Sequence, residues 1–310
     1  MGEWSKKIGE VGEGIVSDLL EEIGWGDAQK NVSINCVYGQ RHGTEKSAKN
    51  THGIDNFFSY PSRLTDRTLD HLVISVKFSS NPYPDSPSSK FKGHFFDLAK
   101  TMECFRKSSL RNEAGKQFSG IEMARNIGVL FWLTNDKSNK NIISKVSKCR
   151  KLEDYTYETI FLVDDYKAAF LYDSIRFLRQ SNHNQNVEFL HPATGKNINP
   201  ASRTAASNVL PVEYVNSPVL PFRITSHDNK KTLVLSNSDD FAVDNLRRLL
   251  GIAQTLSQEF ATNTLILYPD YDPLLHDNLV QEAKAGFANK TYTESVTIDC
   301  FRKDYRGGSR

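Results

Sequence analysis

The sequence predicts an α/β protein in two parts: a helix–strand–strand–strand–helix–strand core followed by a further α/β unit. Three observations carry that expectation. Apolar residues recur at helical spacing at the front of the chain, and strand-length apolar segments follow. After a polar interruption at 181–211 the two patterns alternate again. The 310 residues, with 38% hydrophobic and 25% charged side chains, suffice for two packed cores and carry no disorder signature. No apolar run approaches the ~20 residues of a membrane span. MGEWSKKIGE lacks a signal-peptide core, so a cytoplasmic protein without membrane contact is expected.

Ile8, Val11, Ile15, Leu19 and Ile23 repeat every three or four positions and predict a helix over 5–24, closed by Gly24. A strand at 31–38 and a polar, basic loop (GQRHGTEKSAKN) follow. Strands are expected at 53–60 and 71–79. The Pro- and Ser-rich SSNPYPDSPSSKFKG then breaks the strand and reads as a flap beside the site. Phe95, Leu98, Met102 and Phe105 mark a helix over 94–110, and the unbroken NIGVLFWLTN at 126–135 marks a buried strand. Residues 137–151 read as a short helix with six Lys and Arg and no acid. Strand 157–163 and helix 165–180 complete a first domain, 1–180.

The second domain, 181–310, is expected to bind substrate or a partner. Its elements are strands near 212–215, 220–226 and 231–236, helix 240–260, strand 264–268, helix 273–287 and strand 294–301. The tail from Arg302 reads as frayed.

Net charge is only +2, but residues 1–151 hold 23 Lys+Arg against 17 Asp+Glu, and the remainder 16 against 20. A basic front half suits a polyanion. Cys36, Cys104, Cys149 and Cys300 are scattered with no CxxC, which predicts reduced structural thiols and no zinc site. ATGKN at 193–197 lacks the upstream glycine of a P-loop, and neither GxSxG nor HExxH occurs. Asp164–Asp165, Asp239–Asp240 and Asp270 with Asp272 each follow a strand and precede a helix, so they read as helix caps.

The chemistry concentrates at 52–77. Strand side chains alternate, so Ser75 and Lys77 project together while Ile74 and Val76 point the other way. Asp55, flanked by Ile54 and Phe57, needs a partner for its charge. One carboxylate beside one lysine on a hydrophobic ribbon suits metal-assisted attack on a phosphodiester.

The order αβββαβ, HGIDNFF with its acid in the second strand, and HLVISVKFSS with its xxK in the third resemble the PD-(D/E)xK nuclease superfamily. GEVGEGIVSDLLEEIGW is similar to the helix that opens many members. The resemblance covers about residues 5–135 and implies a restriction-endonuclease-like fold. It implies Asp55 as the central ligand of Mg²⁺ (or Mn²⁺), the Val76 carbonyl as a further ligand, and Lys77 as the group that orients water. Glu13 falls where the family's opening helix supplies an acid, with Glu10 as the fallback. Ser75 occupies the place of the second carboxylate. Glu13 is the expected replacement, with Asp70, Asp97 and Glu103 as other candidates.

The activity implied is DNA cleavage, with RNA as the other substrate, by an anti-phage effector restrained by a partner subunit or acting as a homo-oligomer. The alternative is an inactive nuclease-like binding or scaffold subunit. His52, Lys90, Lys92, Lys140, Lys145 and Lys148 are the candidate nucleic-acid contacts.

Overall fold

The computed structural model describes residues 2–136, 140–150, 152, 154–199, 203–257 and 260–302, with side chains of the first helix from residue 7 onward. The chain forms two compact units. The first comprises residues 1–169 with 196–199, and the second 170–195 with 200–310. The division thus falls at 169/170, ahead of the expected 180/181, and four later residues return to the first unit.

In the first unit, α1 (Gly2–Glu22), β1 (Gln29–Asn35), α2 (Gly39–His42), β2 (Thr51–Pro61) and β3 (Thr68–Ser79) precede α3 (Ser88–Phe105) and α4 (Ser109–Lys116). They are followed by β4 (Met123–Thr134), α5 (Ile143–Val146) and β5 (Thr159–Val163). The sheet order is β1-β2-β3-β4-β5, antiparallel up to β3 and parallel from there. β3 and β4 pair over twelve residues, from Thr68 opposite Met123 to Ser79 opposite Thr134. Phe91, Phe95, Leu98, Met102 and Phe105 of α3 pack with Phe57, Val73, Leu130 and Trp132 of the sheet in one buried cluster.

The expected helix 94–110 is two helices. Ser108 ends the first run by capping α4, its Oγ accepting the Arg111 amide proton at 3.2 Å. The expected flap is anchored. Tyr83 is 7% exposed, donates to the Trp132 carbonyl at 2.5 Å and accepts the Asp165 amide proton at 3.0 Å. Of the expected basic helix 137–151 only Ile143–Val146 is helical; residues 137–139 and 151 lie outside the described residues.

α1 keeps Leu19 and Ile23 of the expected stripe buried but turns its earlier part another way. Val11 and Ile15 are 50% and 45% exposed, whereas Val16, Leu19, Leu20 and Ile23 are buried. Gly12 explains the rotation. A Cβ there would lie 2.2 Å from Phe78 Cβ, so the helix backbone sits directly on β3 where no side chain intervenes.

The second unit holds α6 (Asp165–Ser181) across the division, then β6 (Asn186–Leu190), β7 (Ala206–Ser207), a 3-10 turn (Val212–Asn216), β8 (Val219–Thr225), β9 (Lys231–Asn237) and α7 (Val243–Ser257). β10 (Asn263–Tyr268), α8 (Pro273–Ala285), α9 (Lys290–Glu294) and β11 (Val296–Cys300) complete it. Its sheet runs β11-β10-β9-β8-β6-β7, with β9, β10 and β11 parallel. The expected strand 212–215 is the 3-10 turn: Val212 and Val215 are both buried, a spacing of three that a strand cannot place on one face. Most of the expected tail, residues 303–310, lies outside the described residues. Of the paired acids, Asp272 caps α8 through the Leu274 amide and Asp164 accepts the Lys167 amide at the start of α6. Asp165 instead binds the Thr134 amide and hydroxyl, and Asp270 accepts the Phe241 amide.

Two stability effects are expected. Gly12→Ala forces α1 off Phe78 Cβ, which is too close to the backbone to swing aside, and should cost about 1–3 kcal/mol. A denaturant midpoint equal to that of the parent protein would contradict this packing. His71 is 1% exposed and takes its hydrogen bond from or to Ser59 Oγ at 2.8 Å. Burial, and then the Arg111 charge, lower its pKa from 6.5 to about 4. Below about 6.5 the unfolded chain gains a proton that the folded chain refuses. Stability is therefore lost as pH falls from there toward 4, on the order of 3 kcal/mol for this residue. His71→Gln should flatten that part of the stability–pH curve; an unchanged difference between pH 7 and pH 4.5 would refute it.

Candidate active site

The ladder between β2 and β3 runs from Pro61–Leu69 to Asn56–Ile74. At the next position the connection changes character, because the Val76 amide donates to Asp55 Oδ2 at 2.6 Å. β2 is also irregular here. Ile54 and Phe57, three apart, both enter the core cluster under α3, which strict alternation forbids. The offset lies at Asp55–Asn56, across from Asn31, whose φ of 53° is left-handed. A break in alternation re-aims a side chain, as bulges do beside sites.

On β3, Ser75 lies opposite Leu130 and Lys77 opposite Trp132. Leu130 and Trp132 both belong to the cluster under α3. Side chains opposite one another share a face, so Ser75 and Lys77 look toward α3. The Lys77 ammonium is 4.0 Å from Asp97 on that helix, both partly exposed. His94 crosses the Trp132 ring edge-on at 5.3 Å. Burial lowers its pKa to about 4, reinforced by the charges of Lys77 and Lys90 and opposed by Asp97. Lys90, His94 and Asp97 are spaced along one side of α3, so this helix supplies the groups that surround Lys77.

Glu13 is adjacent in sequence to Gly12, which rests on Phe78, the neighbour of Lys77. α1 therefore reaches this end of β3. Among the described residues no hydrogen bond or ion pair links Glu13 to Asp55 or Lys77. The acid that meets the lysine is Asp97.

Two other candidate acids lie elsewhere. Asp70 is fully buried and takes both Nε and Nη2 of Arg125 at 2.7 Å. Glu103 is 3% exposed, and its oxygens are engaged by Arg41, His42 and the Thr156 amide. His52, expected as a phosphate contact, is 1% exposed and faces the interior, so it cannot reach a backbone phosphate. Lys90, Lys145 and Lys148 are exposed, Lys92 is half-buried, and Lys140 is exposed with Asp136 at 3.5 Å.

Among the described residues Glu13, Asp55 and Asp97 do not converge into one three-acid group, but Asp55 and the Ser75 hydroxyl offer only oxygen donors. That chemistry fits a hard divalent ion and disfavours a soft one. PD-(D/E)xK nucleases typically use divalent ions.

A family model described as the GAPS4 protein PD-(D/E)XK nuclease domain matches residues 1–167. No curated protein and no solved structure matches the chain. The match spans more than half of the 310 residues, and within it a mixed sheet carries the acid of its second strand against the xxK strand. The chain belongs to the PD-(D/E)XK nuclease superfamily, in the family of the GAPS4 protein nuclease domain, and has that superfamily's restriction-endonuclease-like fold.

Proposed function

We propose that this protein is a Mg²⁺-dependent endonuclease that hydrolyses DNA phosphodiester bonds as an effector of anti-phage defence. The observation that carries the reading is the 2.6 Å bond from the Val76 amide to Asp55, which sets a carboxylate beside the strand bearing Ser75 and Lys77. Asp55 and the Val76 carbonyl would hold the ion, with Glu13 supplying the charge that Ser75 lacks. When bound, such an ion polarises a phosphoryl oxygen and makes a coordinated water easier to deprotonate.

Lys77 orients the attacking water and stabilises the negative charge that builds on the phosphorus centre. A compact ammonium suits that role. Asp97 holds the lysine in place, and neutral His94 fills space beside it without adding repulsion to an already cationic mouth. Lys90, Lys92, Lys145 and Lys148 supply positive charge for the sugar–phosphate backbone. The C-terminal unit, beginning near residue 170, recognises substrate or a partner subunit.

Ser75 supports a second reading. A neutral hydroxyl in the place of a carboxylate lowers the charge of the ion site, as expected of a nuclease-like subunit that binds nucleic acid without cutting it. Supercoiled plasmid separates the two. Mg²⁺ should produce nicks that EDTA abolishes, and Asp55→Asn should lose at least about a hundredfold in rate. Lys77→Met should lose a similar factor in cleavage with DNA affinity held within about threefold. A plasmid left intact under Mg²⁺ and Mn²⁺, with DNA still bound, selects the binding subunit.

The compensating acid is identified by a second set of variants. Glu13→Ala should lower cleavage, and Ser75→Glu in that background should recover part of it. If Asp97→Asn is the damaging change and Glu13→Ala is silent, the α3 acid takes the role instead.

A further inference from the structure

The scattered cysteines and histidines converge, contrary to the expectation of no zinc site. Cys36 follows β1, His42 ends α2, His52 lies in β2 and Cys104 in α3. One donor atom from each lies within 4.8 Å of every other. His42 Nδ1 is 3.5 Å from Cys36 Sγ, 3.4 Å from Cys104 Sγ and 3.2 Å from His52 Nε2, and the two sulfurs are 3.9 Å apart.

We propose that Cys36, His42, His52 and Cys104 form a structural zinc site separate from the Asp55–Lys77 centre. A tetrahedral ion with Zn–S of about 2.3 Å and Zn–N of about 2.0–2.1 Å holds its donors about 3.3–3.8 Å apart. Four of the six separations, at 3.2–3.9 Å, lie close to that range, and the two between His52 and the sulfurs are within 4.8 Å. Two soft sulfurs and two imidazoles are a zinc donor set, unlike the oxygen donors around Asp55.

The surrounding shell supports the assignment. His42 presents Nδ1 to the centre and its Nε2 lies 2.7 Å from Glu103 Oε2. His52 presents Nε2, and its Nδ1 lies 3.4 Å from Thr101 Oγ1. Each ring thus has a polar partner on the nitrogen away from the centre, the arrangement that fixes a ligating tautomer. Glu103 is itself held by Arg41 and the Thr156 amide. His42, His52 and Cys104 are each at most 3% exposed, so an ion here would be closed off, as in structural rather than catalytic sites.

The location explains what the ion does. Beyond Val37 and Tyr38, residues 37–50 are small or polar and offer little apolar surface to bury. An ion bound by Cys36 and His42 fastens this loop to β2 and to α3, the helix that carries His94 and Asp97 toward Lys77. Binding releases the two thiol protons and involves no change of oxidation state.

The test begins with metal analysis of the full-length protein purified without chelator. One zinc per chain is expected, unchanged in Asp55→Ala and lost in the double variant Cys36→Ser with Cys104→Ser. The folded parent protein supplies a second readout that does not depend on that variant folding. Titration of its thiols with a mercurial should release zinc in proportion. Replacement of zinc by Co²⁺ should give the visible absorption of a tetrahedral, thiolate-ligated ion. Removal of the ion should lower the melting temperature, and zinc should restore it. A chain that is metal-free after expression with zinc and gives no thiolate-ligated Co²⁺ spectrum overturns the proposal. So does zinc retained in full by the double variant, or a Cys36–Cys104 disulfide in the freshly isolated protein.

Discussion

The hydrogen bond between the Val76 amide and Asp55 joins two strands just past the end of their regular ladder. It is a charge-assisted contact, shorter and stronger than a neutral backbone pair. Because it occupies Oδ2, it also fixes the direction of the other oxygen. β3 is gripped on its far side by twelve consecutive pairings with β4, so Ser75 and Lys77 inherit the rigidity of a central strand. A chemically active constellation is only as accurate as the elements that carry it. Here the carboxylate is tied to the most heavily paired strand of the sheet.

The acids of this unit show how local donors separate structural from chemical roles. Asp70 sits on the same strand as Lys77, yet a bidentate Arg125 satisfies both of its oxygens. Glu103 lies on the same helix as Asp97, and Arg41 and His42 of α2 together with the Thr156 amide engage it. Among the described residues, the side chain of Asp97, more than half exposed, has the lysine ammonium as its ion-pair partner, at the 4.0 Å limit. Residue type and strand position do not distinguish these cases; the number of donors already committed does.

Much of this arrangement is readable from the chain because its causes are local. Strand alternation puts Ser75 and Lys77 together without any tertiary information, and the apolar run at 126–135 reveals the neighbouring strand. The face of α1 is not readable in that way. Val11 and Ile15 obey the helical period yet stay exposed, because the contact belongs to Gly12, which has no side chain to register in a hydrophobic pattern. β6 lies inside the polar stretch 181–211, which masks its brief apolar pattern, and β7 is only two residues long. The Cys–His cluster is hidden for a different reason. Its members are 6, 10, 62 and 68 residues apart in the pairs that touch, and only folding three segments onto α3 brings them together.

The four residues 196–199 have a consequence for portability. Lys196 accepts the Asp66 amide through its carbonyl, Asn197 donates to the Arg63 carbonyl, and the Asn199 amide donates to Asp66. The turn between β2 and β3 is thus stapled by a segment well beyond residue 167, where the family match stops. A module excised at that point would keep every candidate catalytic side chain but expose three polar groups at the base of the hairpin that carries them. Transplanting the nuclease unit into another protein therefore requires this distant staple as well.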